Sequence, residues 1–440
     1  MPNAAAYYLL EDAKLSLTGD GINLATTKAE GTAHGILVDA ASSKSTVSLA
    51  KTFIDMTQGI GSGIENKGDV TNITLNNARI DVNDGAGIHS AVGFTPASGT
   101  TSGVINVKGS GTGILFENMT AAGTASANTI TFTKAKDLVV NVETDDGKGI
   151  IANTTKDVTT SGSVNILSTT GGSALQVMEV VDGAPSVSKT VIQQGNLHSA
   201  SSTSAIVEVS DNVSTFNNSG DILFGAFGDQ QITGNYAFTA EANIDKTVFE
   251  KNNGTNITFN NESGGKINGV VKLTVANGTT GNTANLKAGS AGEKFFGGDG
   301  NDTFNVTTIQ GADNDEDKTK HQFTQLDGGT GSDVVNFQGG SNYTITNADT
   351  VKNIEQMNIK DSSYITLDKV LPNGTNSFDV AKDAKATATL QYNINTATDF
   401  AKQVTNSGVF YVNGEGDLPQ KFNFAANQSD FTGTFKINNV

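Results

Sequence analysis

A short motif recurs through the first half of the chain: glycine or alanine, one free residue, glycine, then isoleucine. It reads Gly19-Asp-Gly-Ile22, Ala33-His-Gly-Ile36, Gly61-Ser-Gly-Ile64, Gly85-Ala-Gly-Ile88, Gly111-Thr-Gly-Ile114 and Gly147-Lys-Gly-Ile150. Looser copies follow at Gly172-Ser-Ala-Leu175 and Thr203-Ser-Ala-Ile206. From Ile36 the anchors stand 28, 24, 26, 36, 25 and 31 residues apart. A period in this range marks a chain built from stacked units, each unable to bury its apolar face alone.

Short β-branched runs precede most anchors, among them Val104-Ile-Asn-Val107, Val139-Val-Asn-Val142 and Val164-Asn-Ile-Leu167. Such runs favour strands. Asn, Asp and Gly lie between run and anchor, and these residues tolerate left-handed backbone and form turns. The unit therefore reads strand, tight glycine turn, strand, loop. That is one coil of a parallel β-helix, and Ile22, Ile64, Ile88, Ile114 and Ile150 are expected to share its aliphatic interior. About 17–18 such coils fit the chain as a single domain, residues 1–440, with strands of adjacent coils about 4.8 Å apart. The expected fold class is all-β.

Composition agrees with this reading. Charged residues are 17% against a usual value of roughly 25%, and Asn, Thr, Ser and Gly take their place. After about residue 210 the motif fades into a stretch marked by Phe216, Phe224, Phe227, Phe238, Phe249 and Phe259, expected as aromatic stacks inside the coils. Residues 313–320 contain no apolar side chain and are expected to protrude as an acidic loop.

Several functions are disfavoured. A net charge of -17 argues against nucleic acid and against anionic lipid. Arg79 is the only arginine, which leaves little room for bidentate recognition of phosphate or carboxylate. The absence of cysteine removes thiol nucleophiles and thiolate metal sites, and suits export through an oxidising compartment. No apolar run is long enough to span a membrane as a helix. The histidines His34, His89, His198 and His321 are far apart in sequence and are expected as solvated turn residues.

Three features together resemble the passenger domains of type V autotransporters of the self-associating adhesin class. They are the glycine-isoleucine motif, the pair Gly297-Gly-Asp-Gly-Asn-Asp-Thr-Phe-Asn305 and Leu326-Asp-Gly-Gly-Thr-Gly-Ser-Asp-Val-Val335, and the pair Val351-Lys-Asn-Ile-Glu-Gln-Met-Asn-Ile359 and Ser429-Asp-Phe-Thr-Gly-Thr-Phe435. The resemblance implies a right-handed, three-stranded parallel β-helix, exported through the periplasm and outer membrane and displayed on the cell surface. It implies a binding role without catalysis: adhesion, aggregation and biofilm formation. The expected partners are host matrix proteins, glycans such as glycosaminoglycans, or a second copy of the chain. The family carries a signal peptide and a translocating barrel. Neither is present in these 440 residues, so the chain is expected to be an excised passenger that does not itself insert in a membrane.

Candidate sites follow from residue type. Asp84, Asp145, Asp146 and Lys148 sit near the glycine turns and are expected along one edge as a binding face. Asp81, Asp84, Asp145 and Asp146 are also the carboxylates that a polysaccharide-degrading β-helix enzyme, a lyase or hydrolase, would need, with Lys148 joining them, which is the alternative function. Asp299, Asp302, Asp327 and Asp333 match the nonapeptide of calcium-binding β-rolls, and offer hard oxygen ligands for calcium. The two nonapeptide starts are 31 residues apart, so plain turn formation is the competing role. No other cofactor is expected.

Overall fold

The computed structural model is all-β, with no helix among the described residues. It describes the chain except residues 1–3, 11–12, 26–31, 41–44, 69–71, 91–102, 118–129, 132–137, 155–156, 179–187, 211, 231–235, 242–244, 252–254, 263, 274–279, 288–290, 308–309, 313–321, 384 and 417–418. The expected acidic loop at 313–320 lies outside the described residues. Two compact units form, one of residues 1–241 with 246–252 and the other of residues 242–245 with 253–440.

The first unit stacks parallel strands in ladders, as expected for a parallel β-helix. One sheet runs Ala4–Leu9, Ala33–Val38, Ile64–Asn66, Ala86–Ser90, Thr112–Glu117, Lys148–Asn153, Ser173–Met178, Val207–Val209 and Thr247–Lys251. A second runs Gly21–Ala25, Phe53–Gln58, Arg79–Val82, Gly103–Val107, Leu138–Val142, Ser163–Ile166, Asn196–Ser199 and Asp221–Gln230. Lys14–Thr18, Thr46–Ala50 and Asn72–Asn76 form a shorter sheet, and Ile130–Thr131, Val158–Thr160, Lys189–Gln193 and Val213–Asn218 continue a further ladder. Each repeat of the sequence supplies one strand to each of the two long ladders, so contacts of long sequence separation dominate.

Register turns the anchors into a column. Ile36, Ile64, Ile88, Ile114, Ile150, Leu175, Val207 and Phe249 are successive Cα partners in the first sheet. All are buried. The last copy of the motif is displaced by one position: Val207, not Ile206, pairs with Leu175, while the Ile206 carbonyl accepts from the N–H groups of Ala174 and Leu175. Ile22 also departs from expectation. It is buried, but it pairs with Ile54 in the second sheet, heading the row Ile54, Ile80, Ile105, Val140, Val164, Leu197 and Ile222.

The two rows interlock, and this gives the second glycine of the motif its reason. Gly35, Gly87, Gly113 and Gly149 lie within strands, and Gly63 directly precedes one, rather than in left-handed turns. A Cβ built on Gly63 would meet Ile80 Cγ2 at 2.5 Å and the Gly87 carbonyl oxygen at 2.7 Å. On Gly35 it would meet the Gly63 carbonyl oxygen at 2.6 Å and Ile54 Cγ2 at 2.9 Å. The second-sheet aliphatic side chain occupies the space that a side chain would need.

The second unit repeats the plan with larger interior residues. Val271, Phe295, Leu326 and Val351 form one row. Phe259, Ala284, Phe304, Val335, Met357, Phe378 and Val404 form another. Tyr343, Ile365, Leu390, Phe410 and Phe435 form a third, whose last member is partly exposed. The expected aromatic interior holds for Phe216, Phe249 and Phe259, which are fully buried. Phe227 and Phe238 are different: they face each other across an antiparallel hairpin between Asp221–Gln230 and Tyr236–Ala240.

Candidate functional site

The edge expected from Asp84, Asp145, Asp146 and Lys148 is a column of turns linking the second sheet to the first. Asp84 follows Arg79–Val82 and precedes Ala86–Ser90, while Asp145 and Asp146 sit between Leu138–Val142 and Lys148–Asn153. Ala86 pairs with Thr112 and Thr112 with Lys148, so the turns stack. Ser110 Oγ–H donates to Asp84 Oδ1 at 2.9 Å. Ser168 Oγ–H donates to Asp145 Oδ1, and with the Thr170 hydroxyl it holds that carboxyl below its usual range. These bonds staple one turn to the next. Asp81, grouped with them by sequence, points to the outer face of the second sheet. There it accepts Arg79 Nε and an Arg79 terminal nitrogen at 2.7 Å each, Lys108 Nζ at 2.7 Å and Asn106 Nδ2 at 2.8 Å. Burial pushes the Asp81 carboxyl up, but the Arg79, Lys108 and Asn106 bonds outweigh it and hold the group ionised. The only arginine is thus spent inside the chain.

Asp81 begins a buried amide ladder. Asn141 Nδ2 donates to Asn106 Oδ1 at 3.0 Å, and Asn165 Nδ2 to Asn141 Oδ1 at 2.9 Å. The hairpin covers this face: Phe238 stacks on His198 at 3.9 Å, and Tyr236 lies within electrostatic reach of Glu143, Arg79 and Lys108.

The structure also assembles a cluster that sequence spacing hid. Glu65 and His89 each follow an anchor isoleucine, so they fall on neighbouring rungs of the first sheet as direct partners. Glu65 Oε2 accepts Ser62 Oγ–H at 2.9 Å, lies 3.0 Å from His89 Nδ1 and stands 3.6 Å from His34 Nδ1. His89 Nε2 reaches Glu117 Oε2 at 3.2 Å. The Ser62 backbone N–H donates to His34 Nδ1 at 3.3 Å, which places the neutral ring's proton on Nε2. Burial pushes the His34 pKa down. Burial would lower His89 as well, but its bonds and charge contacts with Glu65 and Glu117 raise it. Burial would raise Glu65, but the His89 bond and the charges around it lower it. His34 and His89 are therefore sheet residues, not solvated turns; His321 lies outside the described residues. The signal was present in the sequence as position relative to the anchor, not as distance between histidines. A cavity of about 380 Å³ opens here, lined by His34, Glu65, Lys67, Asp84, His89 and Thr112 among others.

The four aspartates expected for calcium serve the second unit's ladder. The Ile257 N–H donates to Asn282 Oδ1 at 3.0 Å, the Asn282 N–H to Asp302 Oδ1, the Asp302 N–H to Asp333 Oδ1 at 2.7 Å, and the Asp333 N–H to Glu355 Oε2 at 2.7 Å. Each side chain caps the strand one rung below. Asp302 and Asp333 are buried, each with an Oδ2 that has no hydrogen-bond partner. Burial is the main cause that pushes Asp302 up to about 7 and Asp333 up to about 6. Asp299 accepts Thr330 Oγ1–H at 2.8 Å, and Asp327 accepts Asn353 Nδ2 at 2.8 Å and the Gly329 N–H at 3.1 Å. Among the described residues no three acidic or histidine side chains converge as a metal cage. The chain matches no protein-family model, no curated protein and no solved structure.

Proposed function

We propose that the chain is an adhesin passenger, exported to a bacterial surface, that acts by binding and not by turnover. The observation that carries this reading is the presence of continuous amide ladders on outer faces of the second unit. Asn285 donates to Asn260 at 2.7 Å, Asn305 to Asn285, Asn336 to Asn305 and Asn358 to Asn336 at 2.8 Å each. A second ladder runs Asp368, Asn393, Asn413 and Asn438, with bonds of 3.2, 3.3 and 2.8 Å. Regular rows of mainly uncharged hydrogen-bonding groups suit a polymer that repeats. Each contact is weak, and multivalency supplies affinity. The resemblance to autotransporter passengers supports display at the cell surface. A net charge of -17 favours neutral glycans over glycosaminoglycans, and disfavours close pairing of copies at low salt.

The test is display of the chain on non-adherent cells, followed by settling and by retention on neutral-glycan and matrix-protein surfaces. Retention on such a surface, or settling of displaying cells alone, is the expected result. Release of reducing ends from any polysaccharide by the purified chain would replace this reading with the enzymatic one.

A further inference from the structure

The histidine and glutamate cluster of the first unit holds more hydrogen-bonding capacity than the fold uses. Glu65 is 3% exposed, and its three polar contacts all fall on Oε2, which leaves Oε1 without a partner. His34 is tied through Nδ1, leaving the Nε2–H free. Asp84 uses Oδ1 for Ser110, leaving Oδ2 free. Lys67 and Thr112 line the same cavity. His34 and Glu65 are buried and Asp84 is exposed at the rim, so a ligand that enters the cavity meets acceptors and a donor that the fold itself does not use.

Charge narrows the class. Glu65, Asp84 and Glu117 stand against Lys67 and His89, whose contacts with Glu65 and Glu117 favour its charged form, so the opposite charges largely offset one another. Neither an anion nor a cation finds a strong field there. A polyol fits better: carboxylate oxygens accept hydroxyl protons, while the imidazole N–H and the ammonium donate to hydroxyl oxygens. Ile60 and Leu115 add an apolar patch for the C–H face of a ring. A volume of about 380 Å³ is near the lower end of small-ligand sites, roughly 300–1,000 Å³, and suits one ring.

We propose that the cavity lined by His34, Glu65, Lys67, Asp84 and Thr112 binds one neutral saccharide unit through its ring hydroxyls. This rests on the adhesin reading and assigns it a specific contact in the first unit, in addition to the extended ladders of the second.

The experiment uses the whole chain and the methyl glycosides of glucose, galactose, mannose and N-acetylglucosamine. N-acetylneuraminic acid and glucosamine serve as the charged controls. Imidazole C2–H resonances of His34 and His89 are followed by NMR, assigned with His198→Asn and His321→Asn. The expected result is a saturable shift of both resonances with at least one neutral glycoside, not displaced by either charged sugar. Asp84→Asn and Thr112→Val, both at the rim, should each weaken it about fivefold or more without lowering the melting temperature. Glu65→Gln should weaken it further. The proposal is overturned if no neutral glycoside shifts the two resonances, or if the shift survives both rim variants unchanged. Adhesion of displaying cells without saccharide shifts overturns the pocket and leaves the adhesin reading intact. Shifts without adhesion keep the pocket and remove the adhesin reading.

Discussion

Replacing Asp302 by asparagine should make the second unit less sensitive to alkaline pH. Asp302 is 1% exposed, its pKa is pushed up to about 7, and its Oδ2 has no partner. In the unfolded chain the same group titrates near 3.9. The folded state therefore holds the proton more tightly. Stability from this group is complete below about pH 4 and is lost as pH rises through about 7. A difference of about 3 pKa units corresponds to about 4 kcal/mol over the full range, of which about 3 kcal/mol falls between pH 5 and 8.5. Asparagine keeps an oxygen for the Asn282 N–H but carries no charge at any pH in that window. Hydrogen-exchange mass spectrometry of the intact chain, on peptides spanning Asn301–Thr307 and Val334–Gln338, reads opening of this unit directly. Wild type should lose protection from pH 5 to 8.5, after correction for intrinsic exchange, by far more than Asp302→Asn; Asp333 keeps a smaller residual slope of the same sign. Equal slopes in the two proteins would refute the argument. A calcium-dependent gain in protection at pH 8.5 that the variant lacks would show that these oxygens take a metal instead.

The first unit supplies three further tests. Gly63→Ala forces a Cβ against Ile80 and the Gly87 carbonyl, and should cost about 2–4 kcal/mol in urea unfolding, whereas Gly21→Ala, with no atom within 4 Å of its Cβ, should leave the midpoint unchanged. Asn141→Leu removes the central rung of a buried ladder, both the donor to Asn106 and the acceptor of the Asn165 amide, so a loss of about 2–3 kcal/mol is expected, and a loss below 0.5 kcal/mol would refute the ladder's structural role. His89→Gln removes a cation between Glu65 and Glu117. Because the folded His89 pKa is raised, its contribution is full below about 6.5 and is lost as pH rises through the higher folded value. The variant should therefore fall further below wild type in melting temperature at pH 6 than at pH 8.5.

Local pattern carried the architecture because the repeat is a property of adjacent residues: β-branched runs set strands, and the anchor isoleucines recur at the same place in each rung. It was legible that Ile64, Ile88, Ile114 and Ile150 share an interior. It was not legible that Ile22 belongs to the neighbouring row, because the motif alone does not say which ladder a copy enters. The glycine after the free residue looked like a turn former. Only packing shows that Ile80 of another strand needs its missing side chain. The same limit applied to function. Carboxylates near glycines could be found by eye, but what they do depends on the rung beside them: Asp81 is consumed by Arg79 and Lys108, Asp302 by a backbone N–H, while Glu65 keeps an oxygen free. Sequence by itself determined that strands of this chain stack in parallel, since a rung buries its apolar face only against another rung. Tertiary structure alone decided which polar groups are left over, because many hydrogen-bond partners here come from residues 20 to 36 positions away, and stacking register, not chain proximity, chooses them.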